Sequence, residues 1–396
     1  MRLWKFRPAT CINTIAIPGA LMTEQIFKNR QKKLQSLLIK TGLHAIGLNP
    51  GPDLAYLTGL YFHLMERPVV GIFPISGDPV FILPELEAAK IASLSFPIRP
   101  FLFNENPDTW TDVFRAALQK ADLAAGKLGI IPRRLRLLEQ NYLMGAAPDL
   151  KLESAQPILT QMRRIKSEDE IKFMVEAARI AECALTSTIM AIKPGVTEKE
   201  IAGRLVGRLL QEGSDPELPF FPIVSFGENT ANPHATPTNR VLNPGDIILI
   251  DWGASHQGYF SDITRVFAMG DLHPEIDQIA KFVEDANAAA RAAVKPGIPA
   301  SAVDRAARQV IEDAGYGEYF FHRTGHGLGR EAHEEPDISQ FDQTILEPGM
   351  TFTIEPGIYL PKRGGVRIED DIVVTEDAGL SLTNASRDLT QLLIEE

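Results

Sequence analysis

Apolar residues recur at helical spacing over residues 23–40, where Ile26, Phe27, Leu34, Leu37 and Leu38 share a face and Gly42 follows as a stop. Short apolar runs at 45–48, 69–75 and 80–83, punctuated by Pro, Gly and Asp, predict strands. Helical patterns at 108–120 and 135–144 flank another strand at 127–131, so residues 22–159 form an α/β domain. From residue 160 the alternation stops and the remainder, 160–396, predicts an α+β domain. Ser167 and Glu170 form a capping box that opens a long helix, to about residue 192, closed by Pro194-Gly195. Thr197 and Glu200 form a second box and open a helix to residue 212. Strands follow at 223–226, 247–251 and 259–267. Helices at 275–294 and 300–313, then strands ending at Glu355 and beyond, repeat the scheme.

The repetition extends to the residues themselves. Leu242-Asn243-Pro244-Gly245 leads through an apolar run to Asp251, and Leu346-Glu347-Pro348-Gly349 leads likewise to Glu355. Upstream, Lys193-Pro194-Gly195 returns as Lys295-Pro296-Gly297. A duplicated unit thus twice delivers a carboxylate from the end of a strand. Each is followed, across a Gly-containing turn, by a second acid: Asp262 after Asp251, and Glu369 after Gly364-Gly365. A hairpin brings the members of such a pair side by side.

Singly, each acid has an ordinary reading. Asp251 suits a turn, Asp262 a cap, and Glu369 a solvated acidic cluster with Asp370 and Asp371. Four of them at matching places in two halves point elsewhere. Buried together without cations they repel, and each costs several kcal/mol to desolvate unpaired. Divalent first-row ions remove that cost, and His326 adds an imidazole of the kind such ions accept. Glycines on both sides of His326 let the backbone approach closely and leave room for a substrate.

Composition narrows the classes. The chain has 396 residues, 44% apolar and 23% charged, which suits a soluble globular protein of two domains. A net charge of −11 excludes a general nucleic-acid binder. Two cysteines, Cys11 and Cys183, exclude a disulfide framework and fit a reducing cytoplasm. No apolar run is long enough to cross a membrane. Residues 1–21 are read as lying ahead of the true start at Met22.

With Asp251, Asp262, His326, Glu355 and Glu369 in order, and the phrase Asp53-Leu54-Ala55-Tyr56-Leu57-Thr58-Gly59 upstream, the chain resembles the pita-bread metallopeptidases of family M24. The likeness is to the branch of Xaa-Pro aminopeptidases and Xaa-Pro dipeptidases, or prolidases. The resemblance implies an α+β protein, with a duplicated pita-bread catalytic domain behind a smaller creatinase-like α/β domain. It implies a homodimer, two divalent ions (manganese, or cobalt or zinc) on those five residues, and a proline-containing peptide as substrate. It assigns Asp262 and Glu369 as the bridging pair and places the outer site on His234, His322 and His333. Glu355 then carries a proton to the leaving nitrogen, while His234 and His333 steady the oxyanion. Arg367, in phase with Glu369, orients a ligand or a substrate carboxylate, or simply pairs with a neighbouring acid. Many prolidases carry an arginine after the second histidine, whereas residues 334–353 here have no Arg, Lys or His and begin Glu334-Glu335-Pro336-Asp337. That acidity favours an aminopeptidase acting on longer peptides over a dipeptidase. The alternative on this fold is a creatinase-like or osmolyte-directed C–N hydrolase or lyase.

Overall fold

The computed structural model describes residues 24–92, 94 and 96–392. The expectation for residues 1–21 lies outside them. Two compact units divide the described residues, 24–163 and 164–392.

The first unit carries α1 (Glu24–Thr41), β1 (Ala45–Leu48), α2 (Pro52–Thr58), β2 (Val70–Pro74), β3 (Val80–Pro84), α3 (Ala88–Ala92), β4 (Arg99–Phe103), α4 (Trp110–Lys120), β5 (Ala125–Ile130), α5 (Leu137–Ala146), β6 (Asp149–Ser154) and α6 (Gln156–Arg163). Its six strands form one mixed sheet in the order β4-β3-β2-β1-β5-β6. Apolar cores lie on both faces, one built with α1, α2 and α6, the other with α4 and α5. Within this unit Arg163 and Asp53 form a buried ion pair.

The second unit opens with α7 (Glu168–Ile189) and α8 (Glu198–Gln211), both started by the two capping boxes expected from sequence. Then come β7 (Ile223–Phe226), β8 (Ile247–Trp252), β9 (Ser255–His256), β10 (Tyr259–Phe260) and β11 (Ile263–Met269). The second half continues with α9 (Pro274–Ala293), α10 (Ala300–Asp313), β12 (Gly325–Gly327), β13 (Glu334–Ile338), β14 (Thr351–Ile354), β15 (Gly357–Leu360), β16 (Gly364–Arg367), β17 (Asp370–Val374), β18 (Gly379–Ser381) and β19 (Thr390–Leu392). One sheet runs β19-β11-β8-β7 and another β13-β12-β14-β17-β18; β15 and β16 form a hairpin of their own. The single strand expected over 259–267 is broken at Ser261 and Asp262, where the chain passes from the small β9–β10 hairpin into β11.

Residue alternation on β8 shows how the halves share an interior. Ile248, Ile250 and Trp252 join the core beneath α7 and α8, and the Trp252 indole donates to Ala181 O at 2.8 Å. Ile247 and Leu249 turn the other way, into the core that α9, α10, β14 and β17 also line. Asp251 is in phase with that second set, so the strand delivers its acid to the space between the two halves.

Candidate metal centre

Four acids and one histidine converge there from separate strand ends. In the β8–β11 ladder Asp251 lies opposite Thr264 and Trp252 opposite Ile263, so Asp262 sits where the hairpin re-enters the sheet beside Asp251. Glu355 follows the last residue of β14, and Glu369 lies between β16 and β17. A backbone bridge joins Thr264 to Glu369, with Glu369 N donating to Thr264 O at 3.2 Å. His326 Nε2 lies 3.5 Å from Glu355 Oε1 and 3.8 Å from Asp262 Oδ2. Asp262, His326 and Glu369 each offer an atom within 4.8 Å of the others, all three side chains being buried.

The glycines flanking His326 allow the close backbone approach expected of them. A Cβ on Gly325 would stand 1.9 Å from Thr353 O, and one on Gly327 2.5 Å from Glu335 O. They admit neighbouring backbone rather than leaving room for a substrate. His326 N donates to Thr353 Oγ1 at 3.1 Å, and Nδ1 lies 3.2 Å from Gly327 O. A carbonyl can only accept, so Nδ1 carries the proton and Nε2 turns its lone pair toward the acids.

Electrostatics show what this cluster lacks. Burial, then the neighbouring charges of Glu369 and Asp251, push Asp262 well above the carboxylate range. Burial, followed by Glu355 and Asp251, does the same to Glu369. Burial also raises Asp251, against the pull of Arg367, and lifts Glu355 to about 7. The imidazole of His326 is held far below its usual value by burial and by His333 and Arg323. Asp251 Oδ1 is buried without a hydrogen-bond partner among the described residues. Oxygen donors that repel one another, a bare imidazole lone pair and an orphaned carboxylate oxygen together fit divalent cations.

Arg367 supports this centre from behind. Its Nη2 donates to Asp251 Oδ2 at 2.6 Å, Nε to Thr264 Oγ1 at 3.1 Å, and Nη1 to Tyr359 Oη at 3.0 Å and Pro233 O at 3.3 Å. It is buried, with four of its five N–H donors engaged within the protein. Thr264 in turn donates to Glu369 Oε2 at 2.7 Å. His322 Nδ1 lies 2.7 Å from Arg323 O and therefore donates, leaving Nε2 to accept from Tyr359 Oη at 3.0 Å. Both its ring nitrogens are engaged within the protein, and burial lowers its pKa to about 4.

The other two outer histidines are exposed. The His333 ring lies tilted beside that of His326, with centroids 4.1 Å apart. The charge of His234 acts on Asp251, His322 and His333. Buried Glu198 ties down the loop bearing His234, accepting from Phe226 N at 2.8 Å and Thr238 N at 2.8 Å.

Asp370 and Asp371 are buried, so Glu369 does not belong to a solvated cluster. Burial alone would raise Asp370, but Arg265 and Arg387 bring it down to about 2. Asp371 accepts from Asp262 N at 3.1 Å. Thr264, Tyr359, Asp371 and Glu198 carry no sequence signal of their own; their places come from pairings between distant strands.

Residues 172–376 match metallopeptidase family M24, and residues 30–165 match the creatinase/prolidase N-terminal domain. The chain is 37% identical over 364 residues to the putative dipeptidase YkvY of Bacillus subtilis, spanning 91% of this chain and 99% of that one. The crystal structure of a dipeptidase from Pyrococcus horikoshii OT3 matches with a TM-score of 0.86 at 39% identity, covering 92% of this chain and all of that one. A recombinant prolidase from Thermococcus sibiricus matches with a TM-score of 0.86 at 36% identity, covering 92% and 99%.

Proposed function

Because the chain belongs to metallopeptidase family M24, with a creatinase-type domain ahead of its pita-bread catalytic domain, we propose that it is a two-metal exopeptidase hydrolysing Xaa-Pro dipeptides. The observation that carries this reading is the buried set Asp251, Asp262, His326, Glu355 and Glu369, whose mutual repulsion calls for cations. These five residues would hold the ions, manganese foremost, with Asp262 and Glu369 shared between them. When bound, such ions lower the pKa of water and polarise a carbonyl.

The protein's own groups do the rest. Glu355, beside the other four residues of the centre, takes a proton from the attacking water and returns it to the leaving proline nitrogen. His333 and His234, exposed at the edge of the centre, donate hydrogen bonds to the carbonyl oxygen as it gains charge. Arg367, held by Tyr359 and Thr264, keeps Asp251 in place.

The acidic run after His333 argued for longer peptides. Two of its three charges are compensated within the protein: Glu334 lies 3.4 Å from Lys166 Nζ, and Asp337 pairs with Arg323. With that repulsion reduced, the names of the relatives, dipeptidase and prolidase, support the dipeptide. The test is a substrate panel with added manganese, cobalt or zinc: Ala-Pro, Ala-Pro-Ala, Ala-Ala and creatine. Cleavage of Ala-Pro but not Ala-Pro-Ala is expected. Alanine release from the tripeptide would select the aminopeptidase reading, and cleavage of creatine alone would overturn both.

A further inference from the structure

A dipeptide presents a carboxylate one residue beyond the scissile bond, so its recognition needs a cation within that reach. The cations around the centre are mostly committed. Arg367 has four acceptors, Arg265 is bound to Asp370 and to backbone carbonyls, and Arg308 is bound to Asp304 and to Phe320 O and His322 O. Arg323 differs. Its side chain is 31% exposed, and among the described residues its guanidinium bonds only to Asp337 through Nη1. Nε and Nη2 thus remain available as donors on a fork that matches a carboxylate.

Its position is set by two elements. Arg323 stands between His322 and His326 in sequence, and Asp337 lies directly opposite His326 in the β12–β13 ladder. Its charge reaches the reacting groups, lowering His333 after burial and contributing to the fields on His326 and Glu355. The Arg323 backbone is fixed in turn, because Asp304 Oδ1 accepts from Thr324 N at 3.1 Å and from Thr324 Oγ1 at 2.8 Å.

We propose that Arg323 binds the C-terminal carboxylate of the substrate, steered by Asp337, and so restricts the enzyme to dipeptides. This inference rests on the exopeptidase reading above and deepens it. Asp337 holds the guanidinium at the rim while its own side chain, 48% exposed, remains screened by water. A longer peptide has no carboxylate at that place and loses the contact.

The experiment compares binding of L-proline, which keeps the carboxylate, with L-prolinamide, which lacks it. Calorimetry on chelated and on manganese-loaded protein provides a readout separate from turnover. The wild type is expected to prefer proline by about tenfold to a hundredfold, the range of one charge-assisted contact. Arg323→Gln should abolish the preference and Arg323→Lys retain part of it, with thermal melts confirming that both variants fold. Asp337→Asn should widen the preference. In parallel, KM for Ala-Pro should rise in Arg323→Gln by a larger factor than kcat falls. An undiminished preference in Arg323→Gln, or none in the wild type, overturns the assignment even if Ala-Pro is cleaved. A preference lost in Arg323→Gln while no dipeptide is cleaved would uphold the assignment and sink the peptidase reading instead.

Discussion

Stripping the ions from the centre should make stability fall as pH rises, opposite to the usual behaviour of paired carboxylates. Glu355 shows the size of the effect. Its carboxyl stands at about 7 in the folded protein against an ordinary 4.5, chiefly from burial. A group that binds its proton more tightly when folded contributes stability below pH 4.5 and loses it as pH climbs through 7. That interval corresponds to about 3 kcal/mol for Glu355 alone. Asp251, Asp262 and Glu369 are raised in the same direction. Bound cations reverse the preference, because they favour the ionised acids. His322, lowered to about 4, slopes the other way but does so with or without ions. The informative quantity is therefore the difference between chelated and manganese-loaded protein, measured by urea unfolding from pH 5 to 7.5. It should grow by at least about 3 kcal/mol across that range. Calorimetry at pH 6 in buffers of different ionisation enthalpy should show protons released on metal addition. A pH-independent difference with no proton release would refute the coupled-acid account.

Asp262→Asn or Glu369→Gln should abolish metal-dependent hydrolysis while the circular dichroism spectrum stays native, and each should flatten the pH dependence of the chelated protein's stability by removing one of the raised acids. Asp370→Asn should cost about 3–5 kcal/mol in urea unfolding, because Arg265 and Arg387 lose their shared counter-charge. Gly325→Ala forces a methyl onto Thr353 O, so β12 must separate from β14; loss of manganese binding, measured by calorimetry, is the expected result. An alanine variant binding manganese as tightly as the wild type would show that β12 yields more easily than its packing indicates.

The five residues of the centre were legible because acid and histidine types stand out in apolar runs and because the two halves repeat. Their supports were not. Thr264 is an unremarkable strand threonine until β11 meets the segment bearing Glu369, and Tyr359 gains its role only from the β15–β16 hairpin that holds it near Arg367. In the first unit α2 escaped periodicity because Asp53 through Thr58 are all buried, leaving no polar face to mark a helix. β6 escaped for the opposite reason. At the sheet edge it alternates Asp149, Lys151 and Glu153 with few buried residues, and reads as loop. The aminopeptidase preference rested on the absence of Arg, Lys and His over 334–353 and on the acids there; Lys166 and Arg323, which pair with Glu334 and Asp337, lie outside that stretch.

The sheet that carries Asp251 and Asp262 is finished by β19, which pairs in parallel along β11 from Phe267 to Met269. A growing polypeptide therefore emerges from the ribosome with that edge bare and with two acids lacking their histidine and their opposite pair. The acids from the other hairpin arrive later, and the strand that seals the edge arrives after them. On the two-metal reading proposed above, the complete ligand set therefore exists only once the second half of the chain has been made.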